Sequence, residues 1–317
     1  MPKNYLCFHT DSAPSLDGTL LSPAWDKALW TDWFVDIEGD ARPTPPLKTR
    51  VKMLWDDEFF YIGAQLEEPQ VWATLTQRDS VIFHDNDFEV FLDPDGDNHN
   101  YTELEINALN TVWDLRLPKP YRDGGQADNG WNIAGLRTAV HIDGELNQTR
   151  AKSRGWSVEI AMPWRALGQY ALCPCPPREG DGWRINFSRV EWDVTVQNNA
   201  FVKVPNRPEH NWVWSPQGVI DMHQPERWGY VQFSRLAPDQ AAFVPDESAL
   251  AREFLMSVYH AQRALHDKSG RFAATFAELG IAAPSSLFAP ELLLQNDDFE
   301  ATAAYSNANG ATRRLHV

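Results

Sequence analysis

A chain of 317 residues with 43% apolar content can bury a sizeable core, enough for one large domain and a small one. Its formal charge of -16 repels phosphate-rich partners, which argues against nucleic acid and anionic membrane faces and leaves sugars, metal cations and basic proteins. The 14 tryptophans are the oddest count; most belong in a core, and the rest suit stacking on sugar rings.

In chain order, LDGTLLSPAWDKALW holds a DG turn and then a short helix-like piece around Pro23 to Leu29. Period-two alternation follows. Val51, Met53 and Trp55 precede the Asp56-Asp57 turn, and Phe60, Ile62 and Ala64 come after it. Phe88, Val90 and Leu92 then alternate with Asp87, Glu89 and Phe91. Such alternation between turn residues predicts half-buried antiparallel strands. Strands are expected at 49–55, 59–66, 87–93, 101–108, 111–116, 136–142, 156–162, 184–191 and 228–234. Long loops are expected at Pro118 to Ile133, Cys173 to Gly182 and Asn198 to Gly218. Many strands and few helical patterns predict a mainly β fold, an antiparallel β-sandwich of the jelly-roll kind, over residues 1–236.

The pattern changes after Leu236. DESALAREFLMSVYHAQRALHDKSG spaces Leu250, Phe254, Val258, Ala261 and Leu265 as a helix, with Asp246 as its N-cap and Gly270 as its stop. RFAATFAELG is expected as a second short helix, and the end as a hairpin around Asn309-Gly310. Residues 237–317 thus make a small α+β domain. Three cysteines, two of them separated only by Pro174, do not make a disulfide framework or support a structural zinc site. No stretch approaches transmembrane length, and MPKNYLCFHTDS lacks the apolar core of a secretory signal. Either the chain stays in the cytoplasm or its numbering begins after a removed signal.

Three constellations carry candidate chemistry. The turn DPDGDN puts Asp93, Asp95 and Asp97 on alternate positions, which suits calcium; the same composition also makes an ordinary acidic turn. Glu89, Glu103, Glu105 and Asn107 project from neighbouring strands. Clustered carboxylates repel, so they need a cation, a proton or hydroxyl donors such as a sugar's. The bland alternative is a solvated sheet face partnered by Arg184, Arg189 or a lysine. Finally, Arg189 and Trp192 lie near one strand end, and Trp212, Trp214, His223 and Trp228 follow; rings beside Arg, Asn and His suit sugars. There is no Gly-rich phosphate loop, nucleophile elbow or HExxH, so hydride and phosphoryl transfer lack support.

LDGTLLSPAW, VKMLWDDEFFYIGAQLEEP, DNDFEVFLD, GWSVEIAMPWRAL, WRINFSRVEW and HQPERWGYVQF occur in that order, and together they resemble carbohydrate-binding module family 9 and its larger relatives. The resemblance spans about 15 to 234. It implies a β-sandwich that binds sugars, often at chain ends, with structural calcium, attached to or encoded near glycan-degrading enzymes. Sugar-binding members clamp the sugar between two tryptophans; Phe83 and Met222 stand at those places here. Glu89 keeps the glutamate of the FEVF strand, and Glu105 stands where a basic residue is expected. His84, Trp192, Trp212 and Trp214 are candidates to rebuild the aromatic site. The tail resembles the small end domain of some larger members and, faintly, the helix-and-sheet end of type IV pilins.

The leading expectation is a non-catalytic carbohydrate-binding protein linked to carbohydrate catabolism. Its ligand residues are Phe83, His84, Glu89, Glu105, Asn107, Arg189, Trp192, Trp212, Trp214 and His223, and structural calcium sits at Asp93, Asp95 and Asp97. Its partners are a saccharide and glycan-degrading enzymes, without nucleic acid or a membrane span. Two alternatives stay open: a glycoside hydrolase or lyase using Glu89 and Glu105, and a haem or metal domain using Met222 and His223. No CxxCH is present, so haem would be non-covalent.

Overall fold

The computed structural model describes residues 2–282, 288–295, 298–306 and 310–317. Two compact units divide the chain, Met1–Phe243 and Val244–Val317. The first holds β1 (Asn4–His9), β2 (Val35–Asp36), β3 (Thr49–Trp55), β4 (Phe59–Glu67), β5 (Asp87–Asp93), β6 (Tyr101–Asn107) and β7 (Val112–Leu117). It continues with β8 (Arg137–Asp143), β9 (Gly155–Pro163), the one-turn helix α1 (Trp164–Leu167), β10 (Gly182–Glu191), β11 (Val194–Gln197), β12 (Ala200–Lys203), β13 (His210–Val213) and β14 (Gly229–Ser234).

The nine expected strands all form, with ends shifted by a residue or two. Asp56 shows why the β3–β4 hairpin turns where it does. Its Oδ1 accepts the backbone N–H groups of Glu58 and Phe59, and its Oδ2 accepts the Tyr61 hydroxyl. A twelve-stranded sheet runs β7-β6-β5-β10-β14-β1-β3-β4-β9-β8, with β13 on β10 and β2 on β13. It curls, so that Val51, Met53 and Trp55 of β3 share one core with Phe88, Val90 and Leu92 of β5. The expected mainly β sandwich forms, and most of its strand pairs are antiparallel. β1 runs parallel to both β14 and β3, and it joins the two arms into a mixed sheet.

Trp25, Trp55, Trp164, Trp183, Trp214 and Trp228 are among the largest fully buried side chains. Trp55, Trp164, Trp183 and Phe233 meet edge to face, the arrangement that aromatic quadrupoles favour. Buried Glu159 ties the N-terminal loop down, accepting from Asp17 N, Gly18 N and Trp25 Nε1. Gly18 has φ 81°, and a Cβ there would lie 2.5 Å from the His141 amide, so this DG turn requires glycine. The piece at Pro23 is a 3₁₀ turn, Pro23–Lys27.

Asn198 to Gly218 is not one long loop, because β12 and β13 lie within it. Asn198 and Asn199 both take positive φ, 49° and 61°, and turn β11 back on β12. β13 owes its strand form to pairing with β10 rather than to local alternation.

In the second unit, helix α2 (Ala249–Ser269) packs Ala251, Phe254, Leu255 and Val258 with Phe288, Ala301 and Ala303. The sheet is β15 (Ala289–Gln295), β16 (Asp298–Ser306) and β17 (Thr312–His316), all antiparallel. Ser248 rather than Asp246 holds the N-cap position; Asp246 Oδ1 accepts the Ser248 N–H and hydroxyl. Gly270 is left-handed at φ 69° and ends the helix. RFAATFAELG forms turns, not a helix. The Gln262 side chain bonds both the N–H and the carbonyl of Ala273, replacing helical partners. β16 and β17 pair as a hairpin, and Asn309 lies outside the described residues. No helix among the described residues is long and apolar enough to cross a membrane.

Candidate functional site: a carboxylate-floored groove

The period-two rule positions the site. Phe88, Val90 and Leu92 point into the core, so Asp87, Glu89 and Phe91 point to the other face of β5. Register then sets Glu89 opposite Glu105 of β6 and Ser188 of β10, and Phe91 opposite Glu103. Trp113 of β7 stands opposite Glu105. A groove of about 420 Å³ lies over this face, at the small end of ligand pockets. Glu89, Glu103 and Glu105 line it together with Phe83, Met222 and His223, and with Glu209, Asp221, Trp113 and Tyr121.

This is not a solvated sheet face. Asp87, Glu89, Glu103 and Glu105 are 0%, 5%, 5% and 2% exposed. Burial drives the Glu89 carboxyl up to about 7. Burial and the neighbouring carboxylates also push Asp87, Glu103 and Glu105 well above the ordinary carboxylate range. Among the described residues, no lysine or arginine lines the groove. The expected arginine partners are engaged elsewhere. Arg184 bonds the Tyr230 hydroxyl and the Glu226 carbonyl. Glu105 Oε2 accepts the Phe83 N–H at 2.8 Å, and Asp87 Oδ1 accepts the Val190 N–H at 3.3 Å. Asp87 Oδ2 is buried without a partner.

His223 Nδ1 lies 3.1 Å from the Tyr101 hydroxyl, and its ring meets Tyr121 edge-on at 4.5 Å. Burial pulls its pKa down to about 4, against the pull of Asp221, so the ring is neutral near pH 7. The Met222 carbonyl accepts a hydrogen bond from Trp228 Nε1–H.

The groove therefore collects Phe83, Glu89, Glu105 and His223 from the expected ligand set, and Met222 from the expected clamp. The others lie elsewhere. Asn107 is buried and bonds Leu75 O, Asp85 and the N–H groups of Leu109 and Thr111, all of which shape local turns. Arg189 faces the opposite side of β10 and pairs with Glu68 and Glu191 at 2.8 Å. Trp214 is core, against Phe187 and over Gly229, where a Cβ would come 2.4 Å from its ring. His84 is exposed, edge-on to Phe83.

Trp192 and Trp212 line a second depression of about 460 Å³ with Pro43, Leu47 and His210. Trp192 also braces the groove from behind, since its Nε1 donates to the Phe83 carbonyl at 2.8 Å. Asp93, Asp95 and Asp97 bring carboxylate oxygens within 4.8 Å of one another. Both Asp93 oxygens already accept backbone N–H groups, from Gly96 and Asn98.

Sequence reasoning missed Asp87 as a buried member of the cluster, and Trp113, Tyr121, Glu209 and Asp221 as lining residues. Asp87 shared the alternation of Glu89 and was recoverable from it. Glu209 and Asp221 sit in irregular chain with no pattern to mark them.

A family model described as carbohydrate family 9 binding domain-like matches residues 16–175. No curated protein matches the chain. A solved structure from Bacteroides uniformis, described as a candidate carbohydrate-binding protein, has TM-score 0.54 at 14% identity over 74% of this chain and 100% of its own. Two structures of a family 9 carbohydrate binding module from Caldicellulosiruptor kristjanssonii, with cellotriose and with glucose, have TM-score 0.48. They are 15% and 16% identical over 77% and 74% of this chain and 100% and 98% of their own.

Proposed function

The chain belongs to the carbohydrate family 9 binding domain-like family, and from that premise we propose that it is a non-catalytic carbohydrate-binding protein whose sugar site is the groove over Glu89 and Glu105. The observation that carries this reading is the meeting of Phe83, Met222 and Glu89 in one groove, although Phe83 and Met222 are far apart in sequence. An aromatic ring and a thioether offer apolar contact to a sugar's C–H face, and buried carboxyls bind its hydroxyls. The protein would serve carbohydrate breakdown beside glycan-degrading enzymes.

Calorimetry against a glycan panel tests it. Phe83→Ala should weaken binding about tenfold, the ~1.4 kcal/mol of one aromatic contact. Trp212→Phe, in the other depression, should leave affinity unchanged. Loss with Trp212→Phe and not with Phe83→Ala would move the site to that depression.

The turn Asp93–Asp97 is the calcium site of this reading, supported by three carboxylates at ligand spacing. Calcium should raise the melting temperature of the parent more than that of Asp95→Asn/Asp97→Asn. Catalysis has less support. A retaining glycosidase needs one ionised and one protonated carboxyl, whereas burial drives both Glu89 and Glu105 up. Haem has less still, because Glu89, Glu103, Glu105, Glu209 and Asp221 replace the apolar slot that it needs.

A further inference from the structure

From geometry that needs no sugar, we propose that the buried cluster of Asp87, Glu89 and Glu105, two of which also line the groove, holds a hard divalent cation of the calcium class. One carboxylate oxygen from each lies within 4.8 Å of the others. Oxygens that share a cation at about 2.3–2.6 Å stand at such separations. All three donors are carboxylates, the ligand type that selects hard cations over zinc or copper.

A second observation points to a ligand. Asp87 Oδ2 is fully buried and has no hydrogen-bond partner, while its Oδ1 takes the Val190 N–H. An orphaned carboxylate oxygen in the interior is costly, and a cation relieves that cost. Among the described residues, no side-chain cation bonds it. The basic side chain that feels Asp87 is Lys203, and its ammonium sits 3.3 Å over the Trp192 ring, where Asp85 and Glu209 also act on it. Glu103 adds a fourth buried carboxyl beside Glu89. Glu89 and Glu105 also line the groove, from which water or ligand hydroxyls would complete the shell.

Protons are the competing remedy, because four crowded carboxyls can be neutralised by binding hydrogen ions instead. The experiment separates the two in the full chain, without sugar, so a failed sugar reading does not affect it. Chelator-stripped protein carrying Asp95→Asn/Asp97→Asn, which silences the acidic turn, is titrated with calcium by calorimetry. Terbium luminescence gives a second readout, with Trp113 opposite Glu105 as the sensitiser. One equivalent should bind. Adding Asp87→Asn or Glu89→Gln should abolish it, with a melting temperature no lower than that of the metal-free parent, because neutralisation relieves repulsion. No binding at millimolar calcium in the Asp95→Asn/Asp97→Asn protein would overturn the proposal. So would binding that survives both added substitutions, and the carboxyls would then be held by protons.

Discussion

Glu89 couples this fold to pH. Burial raises its carboxyl from 4.5 to about 7 in the folded chain; Asp87, Glu103, Glu105, Glu209 and Asp221 stand around it, and Lys203 acts on the neighbouring Asp87. A raised carboxyl binds its proton more tightly folded than unfolded. Its stabilising contribution is therefore full below about pH 4.5 and is lost as pH rises through about 7. His223 acts in the opposite sense, losing stability as pH falls from 6.5 towards 4. Comparison of Glu89→Gln with the parent cancels that term. In chelator, urea melts should show the parent losing stability between about pH 4.5 and 7 and Glu89→Gln losing less. Equal slopes would put the proton elsewhere. The outward direction of Glu89 and Glu105 was legible from alternation alone. Their burial was not, because Glu209, Asp221 and Met222 arrive from distant segments and only the folded chain closes them over the strands.

Among elements, β10 does two jobs on its two faces. Ser188 looks towards the carboxylate groove, while Arg189 looks inward and clips the arms of the curled sheet together. Arg189 donates to Thr49 of β3, to the Glu67 carbonyl of β4, and to Glu68 and Glu191. Arg189→Met should cost about 3–5 kcal/mol, because Glu68 and Glu191 would stay buried without their partner. Chemical denaturation measures it, and a loss below about 1 kcal/mol would mean that the pair is replaceable. The sequence places Arg189 beside Trp192 near one strand end, which suggests that both face a ligand. Register alone assigns Arg189 to the core, since it stands opposite Phe88. The β3–β4 hairpin was readable because Asp56 and strict alternation are local signals. β1 and β13 were not, since each is short and is fixed by non-local neighbours.

For the molecule as a whole, the main core is built entirely from residues up to Phe233, and the helix and three strands beyond Val244 have a core of their own. A fragment of residues 1–243 should melt cooperatively and keep the calcium and sugar affinities of the full chain. A fragment that is unfolded by circular dichroism, or that has lost those affinities, would make the end unit part of the machinery. The sandwich class was visible in the spacing of alternating runs. The curl into one mixed sheet was not, because it depends on a parallel pairing between the first strand and the last of the unit.

That pairing has a consequence for biosynthesis. β1 leaves the ribosome before the other strands of this unit, yet its register partners Tyr230 to Ser234 emerge more than two hundred residues later. At about 5–20 residues per second, Asn4 to His9 wait on the order of tens of seconds for β14. During that interval the β14-facing edge of β1 and the apolar face beneath it are open to other nascent chains. Synthesis rate and chaperone supply, more than final stability, should therefore set how much of this protein reaches its folded state.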